Sequence, residues 1–287
     1  MKHSIRHACC MALLGVLLLP APGARAQAEQ RGRSDGLIAP SPSTPPAARR
    51  ATQSQVDGSI PDDPALTAIV APYSAKVREL DTVIGQLEVE LKKSGIGGGS
   101  LGNFVADAIR ARAEKLLGKP VIFAATNSGG LRKNTIAPGP LRVRDIYELL
   151  PFENSLVAVD LTGEQLLRFV QVLLAKRDAQ SGALLAYRTN AEGKNELHTV
   201  TLGQQQAILP NATYTIVTID YLVKRGGDYA VLEEATNVRV LGQTIRDAVL
   251  DYVRAETAAA RTINTTLDGR FHLQEAASAS PENTRPQ

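Results

Sequence analysis

Residues 94–119, "SGIGGGSLGNFVADAIRARAEKLLGK", set Gly97, Gly99 and Gly102 in the spacing G-x-G-x-x-G and then run into an apolar helical pattern. The same letters spell G-x-S-x-G through Gly98, Ser100 and Gly102, so a dinucleotide cradle and a serine nucleophile elbow compete for one loop. Both need a buried strand directly before the glycines. The preceding "GQLEVELKKSG" is rich in charge and ends in two lysines, and it does not read as that strand. The acidic residue that a dinucleotide site needs about 20 positions on is absent, because that span falls on "VIFAATN". For Ser100, His198 and His272 follow in the order a serine hydrolase requires, but one lies in a strand-like run and the other in a frayed tail. Serine hydrolysis through Ser100 is thus the weaker alternative. The remaining reading is structural: Gly95 to Gly99 form a mobile lead-in. Ser100 or Asn103 caps a helix with Asp107 in its first turn, whose N-terminus is able to hold an anion.

Outward from this loop, helical and strand periods alternate. Leu66, Ile69, Val70, Tyr73, Val77 and Leu80 recur at helical spacing, as do Phe104, Val105, Ala108, Ile109 and Leu116. "PVIFAATN" and "SLVAVDLT" read as buried strands. Thr162 with Gln165 is a capping box opening a helix from Gly163 to Lys176, with Leu166, Leu167, Phe169, Val170 and Leu173 on its buried face. "ALLAYRT", "HTVTLGQ", "ATYTIVTIDYLV" and "NVRVLG" supply further strands, and Thr244 to Glu256 a last amphipathic helix. Strands and helices do not alternate strictly, which favours an α+β fold with mixed sheets over a doubly wound one.

The first 26 residues have the form of a secretory signal: basic Lys2 and Arg6, the apolar run Ala8 to Leu19, and the small-x-small site Ala24-Arg25-Ala26. Cleavage near Ala26 removes Cys9 and Cys10, the only cysteines, and leaves a mature chain without disulfide chemistry. It also removes three positive charges from the formal +3, so no broad basic field remains and general nucleic-acid binding is disfavoured. No second apolar stretch approaches the ~18 residues of a membrane span, and the expected location is the periplasm or the exterior. Residues 27–63, with "APSPSTPPAARR" at their centre, read as a disordered Pro- and Ser-rich spacer. Residues 64–256 read as one domain, with a linker-helix region over 64–94, and 257–287 as a flexible tail.

Four stretches in order, "LGNFVADAIR", "ATNSGGLR", "DIYELLPFENSLVAVDLTGEQLL" and "TIDYLVKRGGD", resemble the C-terminal domain of the secreted 5′-nucleotidase family, which includes bacterial UDP-sugar hydrolases. The resemblance runs from about Pro64 to about Glu256. It implies a four-layer α/β/β/α unit with mixed sheets that holds the substrate's nucleoside, while a separate metallophosphatase domain holds two metal ions and cleaves the phosphate ester. By the same resemblance Asn127 and Arg132 form a polar clamp, with Gly129 and Gly130 letting the backbone turn tightly between them. Phe152 is one of two rings that stack on the base, and Asp228 is the acid near sugar and base.

This sequence departs from the family pattern in three places. The arginine and acidic residue usual before "LGN" are replaced by "SGIGGGS". The second aromatic falls on Tyr221, because the expected position, Leu222, is not aromatic. The family's "GGDG" is "GGDY" here, which reshapes that wall. The mature chain has only two histidines, His198 and His272, and no paired-ligand motif around either, so no metal site and no catalytic residue is assigned. The expectation is a free-standing, exported domain that binds a nucleotide, nucleoside or UDP-sugar. It uses no cofactor of its own, and any divalent metal belongs to a separate metallophosphatase chain. A scaffold that has lost its ligand is the rival reading.

Overall fold

Phe123–Thr126 (β3) is buried at all four positions, the pattern of a strand covered on both faces. In the computed structural model, which describes residues 53, 55–203 and 206–274, β3 belongs to a five-stranded sheet. Its other strands are Ala179–Ser181 (β7), Ser155–Thr162 (β6), Thr213–Ile219 (β11) and Thr236–Thr244 (β12), in the order β12-β6-β11-β3-β7. β11 runs parallel to β3, whereas β6 is antiparallel to β11 and β12. A second sheet, in the order β10-β9-β8-β13, combines Gln206–Ala207 (β10), Asn195–Leu202 (β9), Ala183–Thr189 (β8) and Phe271–Leu273 (β13). Two short ribbons pair Val83–Leu87 (β1) with Gly139–Arg142 (β5), and Leu91–Lys92 (β2) with Thr135–Ile136 (β4).

Helices Gly99–Leu117 (α2) and Ile245–Ala258 (α6) pack on each other, and α2 lies against β3 and β7. Helix Gly163–Lys176 (α4) packs on β6 and β11 and also meets β9. The Gln171 side chain fixes that second contact by accepting from the Leu197 amide at 3.0 Å. The core joins Phe104, Phe123 and Phe169, all fully buried, with Phe123 and Phe169 edge to face at 6.5 Å. The expected mixed α/β architecture is therefore present. The capping box at Thr162 and Gln165 opens α4 where the sequence places it. Leu167 is only half-buried, however, and Leu174 takes its place on the buried face.

Several expectations are corrected. The stretch read as strandless before the glycine loop carries β1 and β2, anchored by buried Ile84, Leu87 and Leu91. The α2 helix is capped by Gly98 and not by Ser100 or Asn103. Ser100 Oγ accepts from the Lys92 amide at 2.9 Å, and Asn103 donates to the Thr266 carbonyl. Asp107 lies two turns into α2 and pairs with Arg270.

The glycines are explained by close packing. Gly97 has φ +75° and its missing Cβ would lie 2.2 Å from the Phe271 ring, while a Cβ on Gly102 would lie 1.9 Å from the Gly97 carbonyl oxygen. The chain from Thr257 to Gln274, read as part of a loose tail, is docked. Ile263 is buried and bridges Leu87, β13 pairs with β8, and Arg270 binds Asp107 with both amino groups at 2.9 Å. Its partners are distant in sequence, so no local periodicity announces it.

Helix Pro64–Glu79 (α1) forms as the spacing predicts, opened by Asp63, whose carboxylate accepts from Ala65 and Leu66 amides. Its apolar stripe faces solvent: Leu66, Ile69, Val70, Tyr73 and Val77 are all exposed. The compact unit that contains these elements begins at Pro61. The signal segment and most of the spacer lie outside the described residues. No helix among the described residues is long and apolar enough to cross a membrane.

Candidate ligand-binding site

Because β11 and β3 are parallel neighbours, the chain leaves both at the same end of the sheet. β6, antiparallel to β11, enters there. β3 leads into Asn127 and a 3-10 turn over Ser128–Gly130. β11 leads into helix Asp220–Arg225 (α5) and a second 3-10 segment over Gly227–Glu234. Helix Val143–Leu149 (α3) delivers the loop with Phe152 just before β6. The expected strand through Tyr221 instead ends at Ile219, since the chain turns into α5, and this turn carries Tyr221 toward the β3 exit.

Between these segments lies a cavity of about 480 Å³ lined by Asn127, Gly129, Gly130, Arg132, Phe152, Tyr221 and Asp228, together with Asn154, Lys176, Asp178, Arg225 and Tyr229. All seven residues singled out by the sequence reach this one cavity. Phe152 is 48% exposed and Tyr221 38%, so neither ring is sealed in the core. Each carries a guanidinium beside its face: Arg132 at 5.8 Å from the Phe152 centroid and Arg225 at 5.4 Å from that of Tyr221. Arg225 also donates to the Tyr221 hydroxyl. Asp228 forms an ion pair with Lys176, which lines the same cavity.

Gly129 and Gly130 act differently from the expectation. Neither adopts positive φ. A Cβ on Gly130 would sit 3.2 Å from Asn127 Oδ1, so glycine leaves room for the asparagine side chain. That Oδ1 is buried and has no hydrogen-bond partner among the described residues, an arrangement that ordinarily has a reason, such as a ligand donor.

The sequence missed Asp178, which is only 3% exposed. Its Oδ1 accepts from the Ser128 amide at 2.8 Å, and its Oδ2 accepts from the Tyr229 hydroxyl at 2.5 Å. One carboxyl thus ties the Ser128–Gly130 turn to the Gly227–Glu234 segment, two walls of the cavity. Burial pushes its pKa up to about 6, against the two hydrogen bonds and the charges of Lys176 and Arg225. Burial and the bond to Asp178 push Tyr229 up as well. The tyrosine that ends "GGDY" is therefore a buried strut, and its departure from the family pattern was the one available sign of it. Lys176 and Arg225 gave no sign, since a cation at a helix end reads as solvated.

Ser100 makes no bond to either histidine, and His198 and His272 are both exposed on strands. Among the described residues no group of three or more His, Cys, Asp or Glu side chains is placed to hold a metal ion.

A family model described as "5′-nucleotidase, C-terminal domain" matches residues 83–234. The chain is 30% identical over 186 residues to a 5′-nucleotidase of Vibrio vulnificus, which covers 62% of this chain and 32% of that protein. It is 29% identical over 154 residues to the trifunctional nucleotide phosphoesterase protein YfkN of Bacillus subtilis, covering 50% of this chain and 10% of that one. Its fold is similar to the solved 5′-nucleotidase precursor from Thermus thermophilus, with a TM-score of 0.62 at 24% identity over 74% of this chain and 43% of that chain. The chain thus spans less than half the length of these relatives. With the motifs, the fold and the matched model in agreement, the chain belongs to the 5′-nucleotidase C-terminal domain family.

Proposed function

We propose that the cavity between Phe152 and Tyr221 binds a nucleotide, nucleoside or UDP-sugar, and that the domain serves as the substrate-recognition half of a nucleotide-catabolic activity in the periplasm or outside the cell. The observation that carries this reading is two partly exposed aromatic rings sharing one cavity with the Asn127 amide, Arg132 and Asp228. A planar base stacked on such rings gains ~1–3 kcal/mol each. Asn127 and Asp228 supply an acceptor, donors and a carboxylate for base and sugar edges, and Arg132 supplies a cation for an anionic group. No residue of the domain takes a catalytic role in this reading of the cavity, which recognises the substrate. Cleavage of a phosphate ester depends on a two-metal centre from a metallophosphatase domain supplied separately. Secretion through the N-terminal signal fits this role.

The rival, a scaffold without ligand, is favoured by one observation: the solvent-facing apolar stripe of α1, suited to contact with another protein. Calorimetric titration with adenosine, uridine, AMP and UDP-glucose separates the two. Saturable binding of any of these, weakened by Phe152→Ala in a folded variant, supports the cavity; no heat from any of them supports the scaffold.

A further inference from the structure

Helix α1 is 16 residues long and buries none of them. A helix of that length is marginal in water unless a partner covers its apolar face. Along α1 and its C-cap, Leu66, Val70, Tyr73, Val77 and Leu80 follow one another at alternating steps of four and three residues. That is the 3.5-residue period of a coiled-coil seam. Leu66, Ile69, Val70, Tyr73 and Val77 are each 58–66% exposed. At those exposures the five side chains leave roughly 600 Å² open to water, most of the ~800 Å² that each partner of a standard interface covers. Leu80 packs against the core and anchors the C-terminal end of the seam. There Tyr73, Val77 and Leu80 form one wall of a cleft of about 770 Å³, whose other wall includes Val143 and Tyr147 of α3 and Leu250 of α6. The charges on α1 are also divided by end. Asp62 and Asp63 precede the helix, while Lys76 and Arg78 lie in its last turn with Glu79 beside them, and all five are exposed. Two copies laid parallel would set aspartates against aspartates. Laid antiparallel, the acidic start of each helix meets the basic end of the other.

We propose that α1 is a dimerisation element, and that a second copy of this chain covers its seam with the two α1 helices antiparallel. Val70 of each copy then packs on Tyr73 of the other, and Leu66 on Val77, about a twofold axis at the level of Ala71 and Pro72. The N-terminal half of each helix beds in the cleft that the other copy forms between α1, α3 and α6. Such an interface is self-complementary and closes at two copies, leaving no seam open for further growth. Pro72, whose missing N–H interrupts the helix ladder, lies off the seam and does not obstruct it. No residue of α1 lines the cavity between Phe152 and Tyr221, so the dimer does not depend on whether that cavity holds a ligand.

Sedimentation velocity on the mature chain over a range of concentrations tests this. Wild type is expected to run as a dimer at ~10 µM and to dissociate on dilution. Leu66→Glu and Val70→Glu, made separately, are each expected to leave a monomer over the same range while remaining folded by circular dichroism, since both positions are exposed. Two seam variants keep the test decisive if one fails to fold. Asp62→Lys, and the double variant Lys76→Glu with Arg78→Glu, are each expected to weaken the dimer about tenfold. An equimolar mixture of these two is expected to restore it, because facing ends then carry opposite charges again. A wild type that stays monomeric at every concentration overturns the proposal, even if α1 is then found to bind a different protein. A dimer that survives both seam variants overturns it as well. A dimer that the seam variants abolish but the charge variants leave unchanged overturns the antiparallel arrangement.

Discussion

Replacing Asp178 by asparagine removes one titration from the wall of the cavity, and its effect on stability should depend on pH in a defined direction. The unfolded chain releases this proton near pH 3.8, while the native carboxyl keeps it to about pH 6. Between those values the native state holds more protons than the unfolded state. The group's contribution to stability is therefore greatest below pH 4 and declines as pH rises to about 6. The whole change, at 1.36 kcal/mol for each tenfold change in proton affinity, is about 3 kcal/mol. Exposure of 3% leaves no solvent screening to reduce it. Urea melts of wild type and Asp178→Asn from pH 4 to 7.5 give the difference directly, and the subtraction cancels the opposite trend of carboxylates held low, such as Asp160 and Asp268. Wild-type stability minus variant stability should fall by about 3 kcal/mol across the window and then level off. Tyr229→Phe, which removes a bond that favours the ionised form, should move that fall to higher pH. A difference that stays flat, or that grows in favour of wild type with pH, would mean that Asp178 is ionised throughout and the reasoning from burial is wrong.

Deleting residues 257–287 should lower stability by at least ~3 kcal/mol in thermal or urea melts, because it exposes the surface around Ile263 and leaves Asp107 without Arg270; an unchanged melting temperature would return this segment to a loose tail. Gly97→Ala should cost more than the ~1–2 kcal/mol of a left-handed residue alone, since the new Cβ must also displace Phe271. Phosphate release from AMP by the purified mature chain, with or without Mn²⁺ or Zn²⁺, should be absent; metal-dependent turnover that co-purifies through every step would refute the division of labour proposed here.

The parts of this molecule written in local sequence were readable, and those that depend on distant partners were not. Thr162 and Gln165 fix the start of α4 through neighbours three residues apart, and "SLVAVDLT" coincides with β6 because a doubly covered strand is a continuous apolar run. The cavity residues were found because three of four motifs that recur in a fixed order carry them. The structural reading of Gly97 to Gly102 was open to the sequence, but its steric reason was not: Gly97 admits the Phe271 ring and Gly102 the Gly97 carbonyl, and Phe271 lies about 170 residues on. β13 is three residues long, with two of them exposed, so neither length nor alternation marks it. Asp178 was invisible for another reason. An aspartate after a helix ordinarily reads as solvated, and only the fold shows that Ser128 and Tyr229 enclose it.

The central claim is that the cavity holds a nucleoside between two rings, and calorimetry on Phe152→Ala tests it most directly. Wild type should bind a nucleoside or nucleotide, and the variant should bind it more weakly by ~1–3 kcal/mol through lost stacking. At 48% exposure of Phe152, the variant should lose much less stability than the ~3–5 kcal/mol typical of a buried phenylalanine. A folded wild type that binds none of adenosine, uridine, AMP or UDP-glucose, with a Phe152→Ala variant that collapses by that larger amount, would make Phe152 a core residue and contradict the account.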